Sequence, residues 1–303
     1  MKASKIIKPK ISIEGATSWT ISTLAVENNR FYLGTFAHTL SIGDIKSKKY
    51  LEIQSKQEIE SVVLYKDFVF AAGDGFIGMY DKISGEFLYE FVNAHMSCIH
   101  SIIIHKNLLI SGSKEIKIWD LTSKDCLAIL EGTEELVQSL IIKDNVLIAG
   151  YDGGAIILWD LTAKKIIRTL IEHSWSVTSL ATTDTTIISG GGDGLIKIWD
   201  FNSGKCLNTL IGHEKWIESI AVYKNYLFSA SEVILKIWDL ASGNCLNTLK
   251  LDDEILHLTA DSEFLYTISD GSLFHQWSLE ELISHEPLEV IIPNDFYLKS
   301  CAI

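Results

Sequence analysis

Basic residues are in short supply. Lysine and arginine number 26 against 39 acidic residues, a formal charge of −13 over 303 residues. That balance argues against general affinity for nucleic acid or for an anionic membrane surface. Long apolar runs are missing too. Hydrophobic residues make up 47% of the chain, yet no run approaches the roughly 20 residues of a membrane-spanning helix. Met1–Lys10 is basic, but no long apolar run follows it, so no secretory leader is expected. The five cysteines are odd in number and include no CxxC pair. A reduced, cytoplasmic protein fits this better than a disulfide scaffold. Proline occurs three times, and Pro, Gly and Ser never gather into a linker. A single domain over residues 1–303 is expected, despite a length that would ordinarily suggest two.

What the chain has instead is a repeated ending. Trp119-Asp120, Trp159-Asp160, Trp199-Asp200 and Trp238-Asp239 are four copies of it. Trp277-Ser278 has lost the Asp, Tyr80-Asp81 has lost the Trp, and Gly43-Asp44 stands where a further copy is due. Read off these positions, the spacings are 37, 39, 40, 40, 39 and 39 residues. Each ending closes a unit of short alternating runs separated by turn residues, the mark of antiparallel strands. In the most complete unit, Val177–Ala181 and Thr186–Ser189 lead into the turn Gly190–Gly194, and Leu195–Trp199 follows. A fourth run follows each ending, such as Cys206–Leu210 and Cys245–Leu249. Self-similarity at this period predicts an all-β fold: a seven-bladed β-propeller with four antiparallel strands per blade. No blade can bury both of its faces alone, so the ring is the stable unit.

These in-phase endings, with the His173–Asp200 unit complete, resemble the WD-repeat (WD40) β-propeller family over nearly the whole chain. The resemblance implies a platform for binding proteins or peptides. It also implies that the first strand of the chain completes the last blade. Two segments compete for that outer position: Lys5–Ile13 at the start and Leu288–Ile292 near the end, and both remain open.

Three groups of residues imitate chemistry. His173, Ser189 and Asp193 suggest a hydrolase triad. The resemblance implies instead a buried hydrogen-bond chain of His173, Ser189, Asp193 and Trp199, tolerable when every member is satisfied. Repeat 6 keeps His213, Ser229 and Trp238. Repeat 3 keeps His95, Ser111 and Trp119. Repeat 4 has Thr133 and Ala149 in place of His and Ser. No catalytic residue is assigned. His95, His100 and His105 recur at intervals of five, but as a loop residue and the two ends of one strand they do not make a metal site. Cys126, Cys206 and Cys245 fall on outer strands of different blades, so neither a disulfide nor a zinc cluster follows. Gly190–Gly194 joins two strands and opens no helix, so it is no phosphate loop. No metal and no cofactor is expected.

The loops sort into two faces. Trp119, Trp159, Trp199, Trp238 and Trp277 are repeat positions and belong inside blades. Trp19, Trp175 and Trp216 are not, and each stands just before an inner strand, on the face we call the top. Tyr151 lies in a top turn beside them. They act either as anchors, since interface hot spots favour Trp and Tyr, or as plugs between blades. Acidic residues also gather in the top loops, with Glu134, Glu135, Asp252, Asp253 and Glu254 prominent among them. The lysines gather below, for example Lys66, Lys106, Lys164 and Lys224. These features predict a non-catalytic interaction scaffold that takes a Lys/Arg-rich segment of a protein or peptide on an acidic, Trp-bearing top face. Neither nucleic acid nor membrane is expected as a partner, and the oligomeric state is open. The alternatives are a substrate-receptor subunit of a ubiquitin ligase, or a regulatory or sensor propeller acting with other domains or subunits. Lys205–His213 and Asn244–Leu249 resemble repeats of F-box WD-repeat receptors. The Arg cluster needed to read phosphate is missing from the top loops, as is an Arg after the Trp-Asp pairs, and there is no F-box segment.

Overall fold

The computed structural model describes residues 5–7, 11–13, 21–270, 273–283 and 288–290. Seven four-stranded antiparallel sheets form blades around a ring. Blade 5 illustrates how sequence makes a blade. Its strands are Val177–Thr182, Thr186–Gly191, Ile196–Asp200 and Cys206–Leu210, paired in that order. The second and third are buried along almost their whole length, because neighbouring blades cover both of their faces. The outer strand keeps exposed positions and reads as mixed.

The core is divided between blades rather than contained within them. Trp199 of blade 5 packs with Ile148, Ile156, Leu158 and Leu170 of blade 4. Ile21, Phe31 and Leu33 of blade 1 pack with Tyr266, Ile268 and Phe274 of blade 7, so this junction is sealed in the same way. Removing one blade would expose apolar surface on two others, which makes the ring cooperative.

A polar tie reinforces these junctions. An inner strand has no strand partner on its axial side and would leave N–H groups unpaired. At four junctions a serine of the preceding blade accepts one of them. Ile102 N–H donates to Ser61 Oγ (3.1 Å), Leu140 to Ser101 (3.1 Å), Ile220 to Ser179 (3.1 Å) and Leu258 to Ser219 (3.0 Å).

In blade 7 the outer position is filled from the start of the chain. Ile11–Ile13 pairs antiparallel with Leu273–Ser278, Ser12 lying opposite His275. Leu288–Val290, the rival for that position, instead pairs in parallel with Lys5–Ile7 in a separate two-stranded sheet. The lost Asp of the seventh ending has a structural use. Ser278 caps a short helix, Leu279–Leu282, its hydroxyl accepting the Glu281 N–H. Among the described residues, no helix is long and apolar enough to cross a membrane.

Candidate functional site

The residues that imitate a triad are buried. His173 Nδ1 lies 3.0 Å from both carboxylate oxygens of Asp193, and His173 Nε2 lies 2.8 Å from Ser189 Oγ. The Trp199 indole N–H donates to the same Ser189 oxygen at 2.9 Å. Burial holds the His173 ring below its ordinary pKa, against the pull of Asp193. The neutral ring therefore donates from Nδ1 to Asp193 and accepts the Ser189 hydroxyl proton at Nε2. Ser189 is completely buried, so no substrate carbonyl reaches its oxygen, and the chain ties the top turn to the blade core.

The other blades vary this device. Blade 3 keeps His95 bonded to Ser111 at 2.7 Å, and its shortened turn brings Glu115 Oε1 to 3.3 Å from His95 Nδ1, close to it but without the hydrogen bond that Asp193 makes in blade 5. Blade 6 keeps His213, Ser229 and Trp238, bonded at 2.7 and 2.8 Å. Blade 4 has no such His, and Tyr151 fills the space. The position equivalent to Tyr151 is Gly191, where a Cβ would come within 2.5 Å of His173 Nδ1. With Thr133 in place of that ring, the volume is free for a phenol, whose hydroxyl sits against Gly132. Tyr151 is thus buried, its hydroxyl pushed up to about 12 chiefly by desolvation. It lies in the core and presents nothing to a partner on the top face.

The exposed aromatic feature is a pair. Trp175 and Trp216 come from neighbouring blades and are 60% and 51% exposed. Their ring centroids stand 6.0 Å apart, tilted by 43°. The glycine-rich turn of blade 5 holds both. Gly192 N–H donates to Ser176 O at 2.8 Å, fixing the segment that carries Trp175. Ile217 N–H donates to Gly191 O at 3.1 Å, fixing the segment that carries Trp216. Gly192 lies against both: a Cβ there would touch Trp175 Cβ tightly at 3.3 Å and Trp216 Cδ2 at 3.5 Å.

Carboxylates gather beside this pair. Glu218 follows Trp216 by two positions and is held above the ordinary carboxylate range, first by burial and then by Glu254 and Glu232. Ile255 N–H donates to Glu232 O at 2.8 Å, which draws the Asp252–Glu254 loop to the blade 6 turn. Lys215 lies 3.6 Å from Glu232, with both side chains more than half exposed. Glu134, Glu135, Asp252 and Glu254 are exposed, and Asp253 is half-buried. On the opposite face the lysines lean on rings: Lys66 Nζ lies 4.8 Å from the Tyr65 ring centre and Lys224 Nζ 4.7 Å from that of Tyr223.

The family model described as "WD domain, G-beta repeat" matches residues 164–200, which end on the complete repeat of blade 5. The same four-stranded unit, with its Trp-to-Ser bond in blades 3, 5 and 6, recurs around the ring. Residues 164–200 thus match a WD repeat, and the chain folds as a seven-bladed β-propeller. The crystal structure of the WD40 beta propeller domain of Doa1 is similar to it, with 21% identity and a TM-score of 0.80, covering 91% of this chain and 98% of that one. The computationally designed Ika8 protein is similar at 21% identity and a TM-score of 0.71, covering 88% of this chain and 99% of that one. No curated protein matches the sequence. At these identities the two structures bear on the fold alone.

WD-repeat propellers generally serve as non-catalytic scaffolds for protein interaction. Of the residues that the sequence points to for such a role here, Trp175 and Trp216 stand together on the top face. Trp19 lies outside the described residues. Sequence reasoning missed Gly192, Glu218 and Glu232 as parts of the same patch. The signal was available in Glu218 and Glu254, which stand near the starts of consecutive inner strands. It also missed the serine ties, although Ser61, Ser101, Ser179 and Ser219 recur at close to the repeat period.

Proposed function

We propose that this propeller is a non-catalytic scaffold whose top face binds a Lys- or Arg-bearing segment of a partner protein, anchored on Trp175 and Trp216. The observation that carries the reading is the pair itself: two large aromatic rings, more than half exposed, are held in mutual contact by hydrogen bonds to one turn. A plug would bury its ring, and these rings face solvent. Aromatic faces attract cations, and Glu218 is held up first by burial and then by the like charges of Glu254 and Glu232. A docked Lys or Arg relieves that repulsion, so charge and ring favour the same ligand. Exposed acids at Glu134, Glu135 and Asp252 extend the negative surface and steer a basic segment in.

The test is an array of synthetic peptides matched in length and apolar content, bearing Lys/Arg, neutral polar or Asp/Glu residues, probed with the folded chain. Retention of the basic set, weakening as salt is raised, is the expected result. Retention independent of peptide charge would overturn the reading.

A further inference from the structure

Where blades 2 and 3 meet on the top face, three side chains of different chemistry converge. Glu60 stands just ahead of the inner strand Ser61–Tyr65, and Cys98 and His100 stand just ahead of Ser101–His105. Their carboxylate, thiol and imidazole donor atoms all lie within 4.8 Å of one another. His100 Nδ1 is 3.8 Å from a Glu60 oxygen. One turn holds both segments. Glu60 N–H donates to Ala72 O at 2.7 Å, Ile99 N–H donates to Gly73 O at 3.0 Å, and Asp74 forms an isolated bridge with Cys98. The donors therefore project from backbone fixed on both sides of a blade junction.

We propose that Glu60, Cys98 and His100 form a binding site for a zinc-class divalent cation, with a further coordination position open to solvent. One sulfur, one nitrogen and one oxygen donor suit zinc, whereas magnesium and calcium take oxygen. A tetrahedral zinc ion holds its donors about 3.5 Å apart. The Glu60–His100 spacing already approaches that value, and side-chain rotation supplies the remaining contraction. The Glu60 and His100 side chains are 18% and 24% exposed, so the site is sheltered yet reachable by an ion and a water ligand. The surrounding charge also favours a cation. Asp74, bridged to Cys98 through the backbone, adds a second carboxylate to that of Glu60, and a divalent ion takes both as counter-charge. Binding is a simple exchange: the cation displaces the Cys98 thiol proton to solvent, forms a bond to the thiolate sulfur, and takes lone pairs from His100 Nδ1 and the Glu60 carboxylate. No electron transfer is involved. Cys126, Cys206 and Cys245 sit on outer strands of blades 3, 5 and 6 and contribute nothing to this cluster.

Cobalt(II) is the probe, titrated into the full chain under reducing conditions and followed by absorption. One equivalent producing a sulfur-to-cobalt charge-transfer band and tetrahedral ligand-field bands, both erased by added zinc, is expected. Cys98→Ser should remove the charge-transfer band although the three outer-strand cysteines remain. Glu60→Gln and His100→Gln should each weaken cobalt binding more than about tenfold. Zinc addition should release about one proton per chain in weakly buffered solution, and none in Cys98→Ser. A charge-transfer band that persists in Cys98→Ser overturns the proposal, as does the absence of cobalt binding to the wild-type chain. If circular dichroism finds Cys98→Ser unfolded, Glu60→Gln decides: it preserves shape, so cobalt affinity equal to wild type overturns the site.

Discussion

The Trp175 ring centroid lies 6.0 Å from that of Trp216, although the two residues are 41 positions apart and belong to different blades. Gly191 and Gly192 bring this about, because their backbone groups bond to the segments carrying both indoles. The pair is therefore a property of the blade 5 turn, and disturbing the turn disturbs the pair.

The first prediction follows from that geometry. Gly192→Val places branched carbon against both Trp175 and Trp216, where even a Cβ is at 3.3 and 3.5 Å. Affinity for a basic peptide should fall about tenfold, close to 1.4 kcal/mol. The melting temperature should change little, since both rings are exposed. Parallel calorimetry and thermal melts check this, and an unchanged affinity would separate the turn from the binding surface.

A second prediction concerns the buried chain of blade 5. Ser189 is its hub, bonded to both His173 and Trp199. Ser189→Ala strands two buried polar groups at a cost of about 1–3 kcal/mol each. In a Trp199→Phe background one of those groups is already gone, so Ser189→Ala should cost markedly less. A double-mutant cycle from denaturant melts measures the difference. Strict additivity would mean that the two bonds are not coupled through the serine.

Tyr151→Phe should behave in the opposite way. The Tyr151 hydroxyl is buried without a hydrogen-bond partner of ordinary geometry. Its removal should leave stability unchanged or raise it by about 0.5–1 kcal/mol, and peptide affinity should stay at the wild-type value. A drop in affinity would return Tyr151 to the binding face.

Acid should loosen the ring in a defined window. Burial holds His257 and His275 down to about 4, and burial together with Lys236 does the same to His213. Their pKa values are depressed in the folded chain, so below about 6.5 the unfolded chain takes up protons that the folded chain refuses. The stability is thus fully present above that pH and is lost as pH falls towards 4. Each histidine contributes up to about 1.4 kcal/mol per pH unit. Urea melts between pH 7 and 4 report the slope, and His257→Gln should reduce it. A flat profile would mean that the three rings are hydrated.

Much of the fold is legible in the sequence because a blade is a local object. Trp199-Asp200 and its copies mark third strands directly, and the 37-residue step back from Tyr80 locates Gly43-Asp44 even without the Trp. Ring closure was not legible. Lys5–Ile13 and Leu288–Ile292 both carry a strand pattern, and only their pairing distinguishes Ile11–Ile13, opposite Leu273–Ser278, from Leu288–Val290. The surface was harder still. Tyr151 reads as a turn residue, but its burial depends on the absence of a histidine 18 positions earlier, at Thr133. Glu115 reads as an ordinary turn charge, yet a shortened loop delivers it to His95. Such substitutions are contextual, one side chain taking the volume or charge that another has vacated, and a pattern read along the chain does not register them.

The central claim is that Trp175 and Trp216 hold a basic segment. Its most direct test is calorimetric titration of one Lys/Arg-bearing peptide into the wild-type chain and into Trp175→Ala/Trp216→Ala, after circular dichroism confirms that both are folded. The account predicts a loss of about 2 kcal/mol or more, roughly thirtyfold in Kd, with a weaker dependence on pH between 4 and 7 as Glu218 loses its docked cation. Equal affinity in the two chains would contradict the account and leave the tryptophans as bystanders on the rim.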